Sequence, residues 1–204
     1  MIDQFLSMFK DGIANPSRYR VRFNLPQGIP NIEGSAWEST TGNIQRWHSY
    51  LNGNEKVNLL CHTCTMPQRS LLTYEHKQLN APYKVPYSQS YDPVSFVFYG
   101  DGNLDTRKYF EIWQNAVVNI QSNTMNFYSE YVSDVTIEQL NVEGKPTYGV
   151  QLIEAYPMSV TAIDYSYSNS SAIQNVSVVM TYKYWKNLYD YRTVASTFSF
   201  IQLI

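Results

Sequence analysis

Charge is scarce in this chain of 204 residues: Lys and Arg number 15 and Asp and Glu 17, together 16% of the sequence, where roughly 25% is usual for a soluble domain. The formal balance of −2 leaves no cationic surplus to release counterions from phosphate, which argues against a tight DNA binder. Cysteine is equally sparse. Cys61 and Cys64 are the only two, too few for a secreted disulfide scaffold and consistent with a reducing compartment. No apolar run approaches the ~18–20 residues of a membrane-spanning helix. The apolar start (Ile2, Phe5, Leu6, Met8, Phe9) is broken by Asp3 and has no leading basic stretch, so neither a membrane partner nor a secretory signal is expected.

Catalytic signatures are missing too. The chain has no GxxxxGK[ST] phosphate loop, no GxGxxG after a strand, no GxSxG elbow and no HExxH helix. Three histidines in scattered contexts give nucleophilic catalysis little to work with. Cys61-His62-Thr63-Cys64 has the CxxC spacing, with His48 and His76 as formal further ligands. Zinc sites usually pair two such clusters, and on a strand Cys61 and Cys64 would point to opposite faces, so two small half-buried thiols are expected rather than a metal or redox centre. Glu138, Glu154 and Asp164 fall in or beside predicted strands and read as a solvated outer face. No enzyme, cofactor or metal is expected.

What the chain has in quantity is apolar and aromatic material, 44% and 15% of residues, with 18 tyrosines. Ile2, Phe5, Leu6 and Phe9 at near-helical spacing predict a short N-terminal helix ended by Asp11-Gly12 and Pro16. Arg18–Leu25 alternates strictly, with Tyr19, Val21, Phe23 and Leu25 on one face and Arg18, Arg20 and Arg22 on the other, as in a half-buried strand. The arginine stripe suits an inter-subunit salt-bridge face better than a phosphate site. From Pro26 to Lys56 the alternation stops among Gly, Asn, Ser and Thr, with Trp37 and Trp47 as conspicuous apolar residues. So long a patternless stretch reads as an insertion, and the two tryptophans are interface candidates of the anchoring kind.

Strands are predicted again over Val57–Thr63 and Leu71–Leu79, followed by a proline-punctuated protruding loop or edge, Pro82–Pro86. Ser90–Tyr99 predicts a strong strand, and Asn103 the N-cap of a helix that places Tyr109, Phe110, Trp113 and Val117 on one face. Further short strands are predicted over Met125–Val132, Asp134–Val142, Thr147–Tyr156, Met158–Tyr167 and Asn175–Tyr184, a spacing that indicates an antiparallel sandwich or barrel. The tail carries Phe198, Phe200, Ile201, Leu203 and Ile204 almost without charge, a β-prone terminus that a neighbouring subunit could cover. The alternating tyrosines (Tyr165, Tyr167, Tyr182, Tyr184, Tyr189, Tyr191) lack the basic groove of a single-strand binder and suit an interface. The expected fold is therefore mainly β, a single domain over 1–204. It is an antiparallel barrel or sandwich with one flanking α-helix and a short N-terminal helix, an inserted loop at about 26–56 and an apolar C-terminal stretch at about 188–204 that a neighbouring copy could cover.

Four stretches in order carry a family likeness: FLSMFKDGIANPSRYRVRF; TMPQRSLLTYEHKQLNAPYKVPYSQSYDPVSFVFYGDGNLDTRKYFEIW; NFYSEYVSDVTIEQLNVEGKPTYGVQLIEAYPMSV; and VVMTYKYWKN. Together they resemble the tail tube protein of T4-like contractile-tailed bacteriophages, over most of Phe5–Phe23 and Val57–Asn187. The resemblance implies a β-barrel or sandwich that assembles as hexameric rings, stacked into the inner tube through which the genome passes. It implies as partners further copies of the chain, sheath subunits, baseplate tube proteins, a tail terminator, and double-stranded DNA passing through the lumen without specific binding. The place of action would be the virion tail, assembled in the host cytoplasm. In the family the segment corresponding to Leu71–Tyr87 reaches an adjacent ring or subunit, which makes Tyr74, His76, Tyr83 and Tyr87 interface candidates beside Phe198, Phe200 and Ile201. With few cations available, the lumen is expected to be polar to acidic. A baseplate-proximal tube initiator or terminator ring of the same fold is the alternative, and an oligomeric β-sandwich that binds a ligand is the alternative of another class.

Overall fold

The computed structural model describes residues 14–26, 54–77, 82–120, 122–167 and 173–189. The predicted N-terminal helix, Trp37, Trp47, Phe198, Phe200 and Ile201 lie outside them. In chain order the elements are β1 (Tyr19–Phe23), α1 (Asn54–Leu60), β2 (Cys61–Cys64), β3 (Arg69–His76), β4 (Tyr83–Tyr91), β5 (Val94–Tyr99) and α2 (Asp105–Val117). There follow β6 (Val118–Asn119), β7 (Thr124–Met125), α3 (Tyr128–Tyr131), β8 (Ser133–Leu140), β9 (Pro146–Val160), β10 (Asn175–Thr181) and β11 (Tyr184–Asn187). The fold is mainly β and antiparallel, as the alternation predicts.

Seven strands form one sheet in the order β1-β8-β9-β10-β5-β2, with β11 also on β9. The two ends of this path meet through side chains rather than a ladder. The Tyr19 hydroxyl donates to the Cys61 carbonyl at 2.9 Å, and the Phe23 amide donates to Asn58 Oδ1, on α1, at 2.9 Å. The predicted inward face of β1 is confirmed by Val21 and Phe23, both buried, with Arg22 exposed between them.

β9 is the strand that bends the sheet into a barrel. Met158 is an extra residue opposite the Val179/Met180 step of β10, and a second irregularity faces Ser133/Val135 of β8, where Glu154 adopts a φ of 54°. Bulges of this kind bend a strand and sharpen its twist. This corrects the sequence expectation of two strands parted near Pro157: a proline beside a bulge need not donate, so one 15-residue strand runs through it. Along the edge of β9 away from β8, β10 ends at Thr181 opposite Tyr156 and β11 resumes at Tyr184 opposite Ile153. The Lys183 amide donates to the Ile153 carbonyl between them at 3.1 Å. The single strand expected over Asn175–Tyr184 is thus broken and prolonged.

Three further expectations fail for tertiary reasons. Residues 57–60 form the end of a helix, not a strand, because helical spacing lets Val57 be buried while Asn58 reaches β1 and Lys56 Nζ bonds Asp101 and Asp105 at 2.7 and 2.8 Å. The strand that follows carries a bulge at His62, so Cys61 pairs with Phe98 and Cys64 with Phe96, and both thiols lie on the core side rather than on opposite faces. Over Met125–Val132 the chain forms only the two-residue β7 and then α3. Here the Asn126 side chain donates to the Ala116 carbonyl at 2.8 Å, and the Tyr131 carbonyl accepts from Trp113 Nε1 at 2.7 Å.

α2 is the predicted covering helix, although Asn103 does not cap it. Leu104 occupies the cap position with a left-handed φ of 51°, and Asp101 Oδ1 accepts from the Asp105 amide at 2.8 Å. Tyr109, Phe110, Trp113 and Ala116 are buried. Phe110 packs between Phe23 and Phe98 at centroid distances of 5.7 and 5.1 Å, so the helix, β1 and β5 share one aromatic core. Among the described residues no helix is long and apolar enough to cross a membrane, and no group of three or more His, Cys, Asp or Glu is arranged to hold a metal ion.

Candidate assembly surface

β3 and β4 stand apart as a two-stranded sheet of their own. The predicted strand Leu71–Leu79 is realised as Arg69–His76, and the proline-punctuated segment, expected as loop or edge, is a paired strand. Pro86 is accommodated because the register shifts there: Leu72 faces Ser88, Thr73 faces Pro86, and Tyr87 is the extra residue. Asp92-Pro93 ends β4 and breaks the long strand expected over Ser90–Tyr99. The root of the hairpin is fixed to the barrel at two points. The Arg69 guanidinium lies 5.4 Å above the Trp185 ring of β11. Tyr91 packs on Tyr182 at 6.0 Å, whose hydroxyl donates to the Asp92 carbonyl at 2.9 Å.

Beyond that root the hairpin is rich in unburied rings. Tyr74 is 48% exposed, Tyr83 54%, Tyr87 64% and Leu71 63%. Tyr74 contacts Tyr87 at 6.2 Å and His76 at 6.4 Å, and His76 contacts Tyr83 at 5.3 Å. Four of the residues singled out in the sequence are therefore one continuous aromatic cluster. An isolated two-stranded hairpin is marginal in water, and rings held at a surface, apolar in body and polar at the tip, are the material of interface anchors.

Other predicted features land differently. Glu138 is not solvated but only 4% exposed. Arg20 Nη2 lies 2.7 Å and Arg22 Nη2 3.7 Å from its Oε2, so this part of the arginine stripe is used within the chain. Burial pushes the Glu138 carboxyl up, but hydrogen bonds from Tyr189 and Arg20 and the charges of Arg22 and Arg20 outweigh it and hold the group below the usual carboxylate range. Glu154 pairs with Lys183 at 2.9 Å. Sequence reasoning missed a second exposed apolar group, Ile120, Met125 and Phe127. Met125 and Phe127 fall in the segment assigned to a strand, Met125–Val132, and Ile120 between that strand and the predicted helix, where only the lack of strict alternation hinted at their exposure.

Both thiols are held away from the thiolate form by burial. Burial, and then the charge of Cys64, push the Cys61 thiol up to about 12, and burial pushes Cys64 up to about 11. Since the thiolate is the nucleophile, iodoacetamide at pH 8 should alkylate both cysteines of the folded chain at least ~10-fold more slowly than those of the urea-unfolded chain, as read by mass spectrometry.

The chain folds as a barrel with one covering helix and a projecting aromatic hairpin. Residues 14–188 match the profile of the phage tail tube protein family. The chain belongs to that family. It is a structural subunit of a phage tail tube, as the ordered motifs of the sequence imply. No curated protein sequence matches it. Among solved structures, the tail tube fold recurs in a chain of the sheath/tube terminator of the PVC extracellular contractile injection system in its extended state. That chain has 13% identity and a TM-score of 0.56, over 86% of this chain and 96% of that one. A chain of the anti-feeding prophage baseplate has 13% identity and a TM-score of 0.57, over 86% and 95%. A chain of the PVC sheath–tube complex has 14% identity and a TM-score of 0.54, over 89% and 95%. At such identities the likeness is one of fold.

Proposed function

We propose that this tail tube subunit closes into hexameric rings that stack into the conduit for genome ejection. The hairpin β3–β4 docks on an adjacent copy through Tyr74, His76, Tyr83 and Tyr87. The observation that carries the reading is that hairpin: a two-stranded sheet rooted in the barrel and displaying a connected set of unburied rings. The role is mechanical, with no catalysis. Sheath subunits, baseplate tube proteins and a terminator are the partners, in line with the assemblies in which the solved relatives were seen. The lumen wall is polar to acidic, so DNA slides without being held. The insertion at about 26–56, which leads into α1, reaches a neighbouring copy or the sheath through Trp37 and Trp47 as anchors, and Phe198, Phe200 and Ile201 are covered by a neighbouring copy.

Negative-stain microscopy of the purified chain over a concentration series tests this reading. Rings of six-fold symmetry, lengthening into tubes as concentration rises, are the expected result. A chain that stays monomeric both at the highest concentration and in the presence of baseplate tube proteins rejects it.

A further inference from the structure

On the outer face of the sheet, strands β1, β8, β9 and β11 lie side by side, and a single side chain ties them across. Tyr189, just past β11, donates its hydroxyl to Glu138 Oε1 on β8 at 2.8 Å, and Glu138 Oε2 in turn accepts from Arg20 Nε on β1 at 2.8 Å. To reach Glu138 the tyrosine must cross β9, and it does so at Gly149, the only glycine of that strand. A Cβ at Gly149 would lie 2.8 Å from Tyr189 Cε2, 3.3 Å from Glu138 Cγ and 3.3 Å from Leu188 Cδ1. Gly149 does not occupy the left-handed region, unlike Gly144. Its lack of a side chain therefore serves space rather than backbone freedom. Two bonds from main-chain amides hold the approach: the Leu188 amide donates to the Gly149 carbonyl at 2.8 Å, and the Tyr189 amide to the Asn187 side-chain Oδ1 at 2.9 Å.

We propose that Tyr189, Gly149, Glu138 and Arg20 form a clasp that fixes where and in which direction the C-terminal segment leaves the barrel, so that every copy presents this segment to its neighbour at the same place. The second half of that statement rests on the tube reading; the clasp itself does not. Beyond Tyr189 the sequence carries Phe198, Phe200, Ile201, Leu203 and Ile204 almost without charge, apolar side chains that favour a partner surface over water. A common exit on each copy places that apolar stretch alike and lowers the conformational cost of its contact with a neighbour. A clasp of mutually bonded polar groups centred on the buried Glu138 supplies that constancy.

Limited trypsin digestion of the full chain tests the clasp, with cleavage after Lys186 followed by mass spectrometry. Lys186 lies within β11 with an exposed side chain, opposite Gln151 of β9, and the strand pairing keeps its backbone from the extended fit a protease needs while that end of the strand is held. Tyr189→Phe removes the hydroxyl, and Gly149→Ala fills the seat of the ring. Both variants are expected to raise the rate of cleavage after Lys186 at least fivefold, with unchanged far-ultraviolet circular dichroism and a reduced fraction of chain that sediments as assemblies. Unchanged cleavage in Tyr189→Phe overturns the clasp. Faster cleavage with full assembly overturns its link to the neighbouring copy. Failure of the parent chain to assemble at all bears on the tube reading instead, since the cleavage measurement needs no assembly.

Discussion

The double variant Tyr74→Ser, Tyr87→Ser should remain folded and fail to assemble. Both rings lie on the hairpin outside the barrel core, 48% and 64% exposed and 6.2 Å apart. Removing them from a monomer takes away little buried area, and the melting temperature should move by no more than about 2 °C, the order of a surface change. In an assembly the same rings would be desolvated. Aromatic anchors at the centre of an interface typically cost about 2 kcal/mol or more each on truncation. Even about half of the combined loss, at about 1.4 kcal/mol per factor of ten, raises the concentration needed for assembly by at least ~10-fold, and the full loss by ~1,000-fold. Sedimentation across a dilution series measures this. Phenylalanine at both positions keeps the rings and should preserve most of the assembly. If the serine variant polymerises at the parent concentration, the hairpin is not the docking element.

The largest expected effect on the fold itself is at Trp113. Its ring is fully buried, stacks on Phe110 at 6.4 Å and an interplanar angle of 9°, and meets Tyr109 edge-on at 6.1 Å. Its Nε1 donates to the Tyr131 carbonyl at 2.7 Å, the bond that secures α3 beneath the helix. Trp113→Ala removes packing, leaves a cavity and orphans that carbonyl. Aromatic-to-alanine changes in cores cost about 3–5 kcal/mol, against a total of about 5–15 kcal/mol for a typical protein, so this variant should be close to unfolding at room temperature. Trp113→Phe keeps most of the packing and should lose about 1–3 kcal/mol, the cost of an unpaired buried acceptor. Urea denaturation followed by circular dichroism measures both, and a loss below about 1 kcal/mol for the alanine variant would mean that α2 does not cover the core as described.

The parts of this architecture legible in the sequence are those where one face of one element decides the pattern. β1 alternates because Val21 and Phe23 enter the core while Arg20 and Arg22 do not. α2 shows its buried stripe because Tyr109, Phe110 and Trp113 repeat at helical spacing, though Ala116 rather than the expected Val117 completes it. Tyr74, His76, Tyr83 and Tyr87 were readable as interface candidates from aromatic type, proline context and family resemblance, yet their convergence into one cluster needed the pairing of β3 with β4. What stayed illegible was set by partners distant in sequence. The helix at Asn54–Leu60 depends on Phe23, Asp101 and Asp105, and the shared face of Cys61 and Cys64 on a bulge against β5. The unbroken course of β9 through Pro157 depends on a bulge against β10, and Glu138 read as solvated because nothing local announces Tyr189, 51 positions later.

The most direct test of the central claim, that this barrel is completed by copies of itself, is a cryo-electron microscopy map of the assembled particle with the hairpin traced. Rings are expected in which β3–β4 of each subunit is buried against a neighbouring copy, with Tyr74 and Tyr87 inside the contact. A hairpin projecting freely into solvent in a well-ordered tube, with subunits joined wholly elsewhere, would contradict that claim.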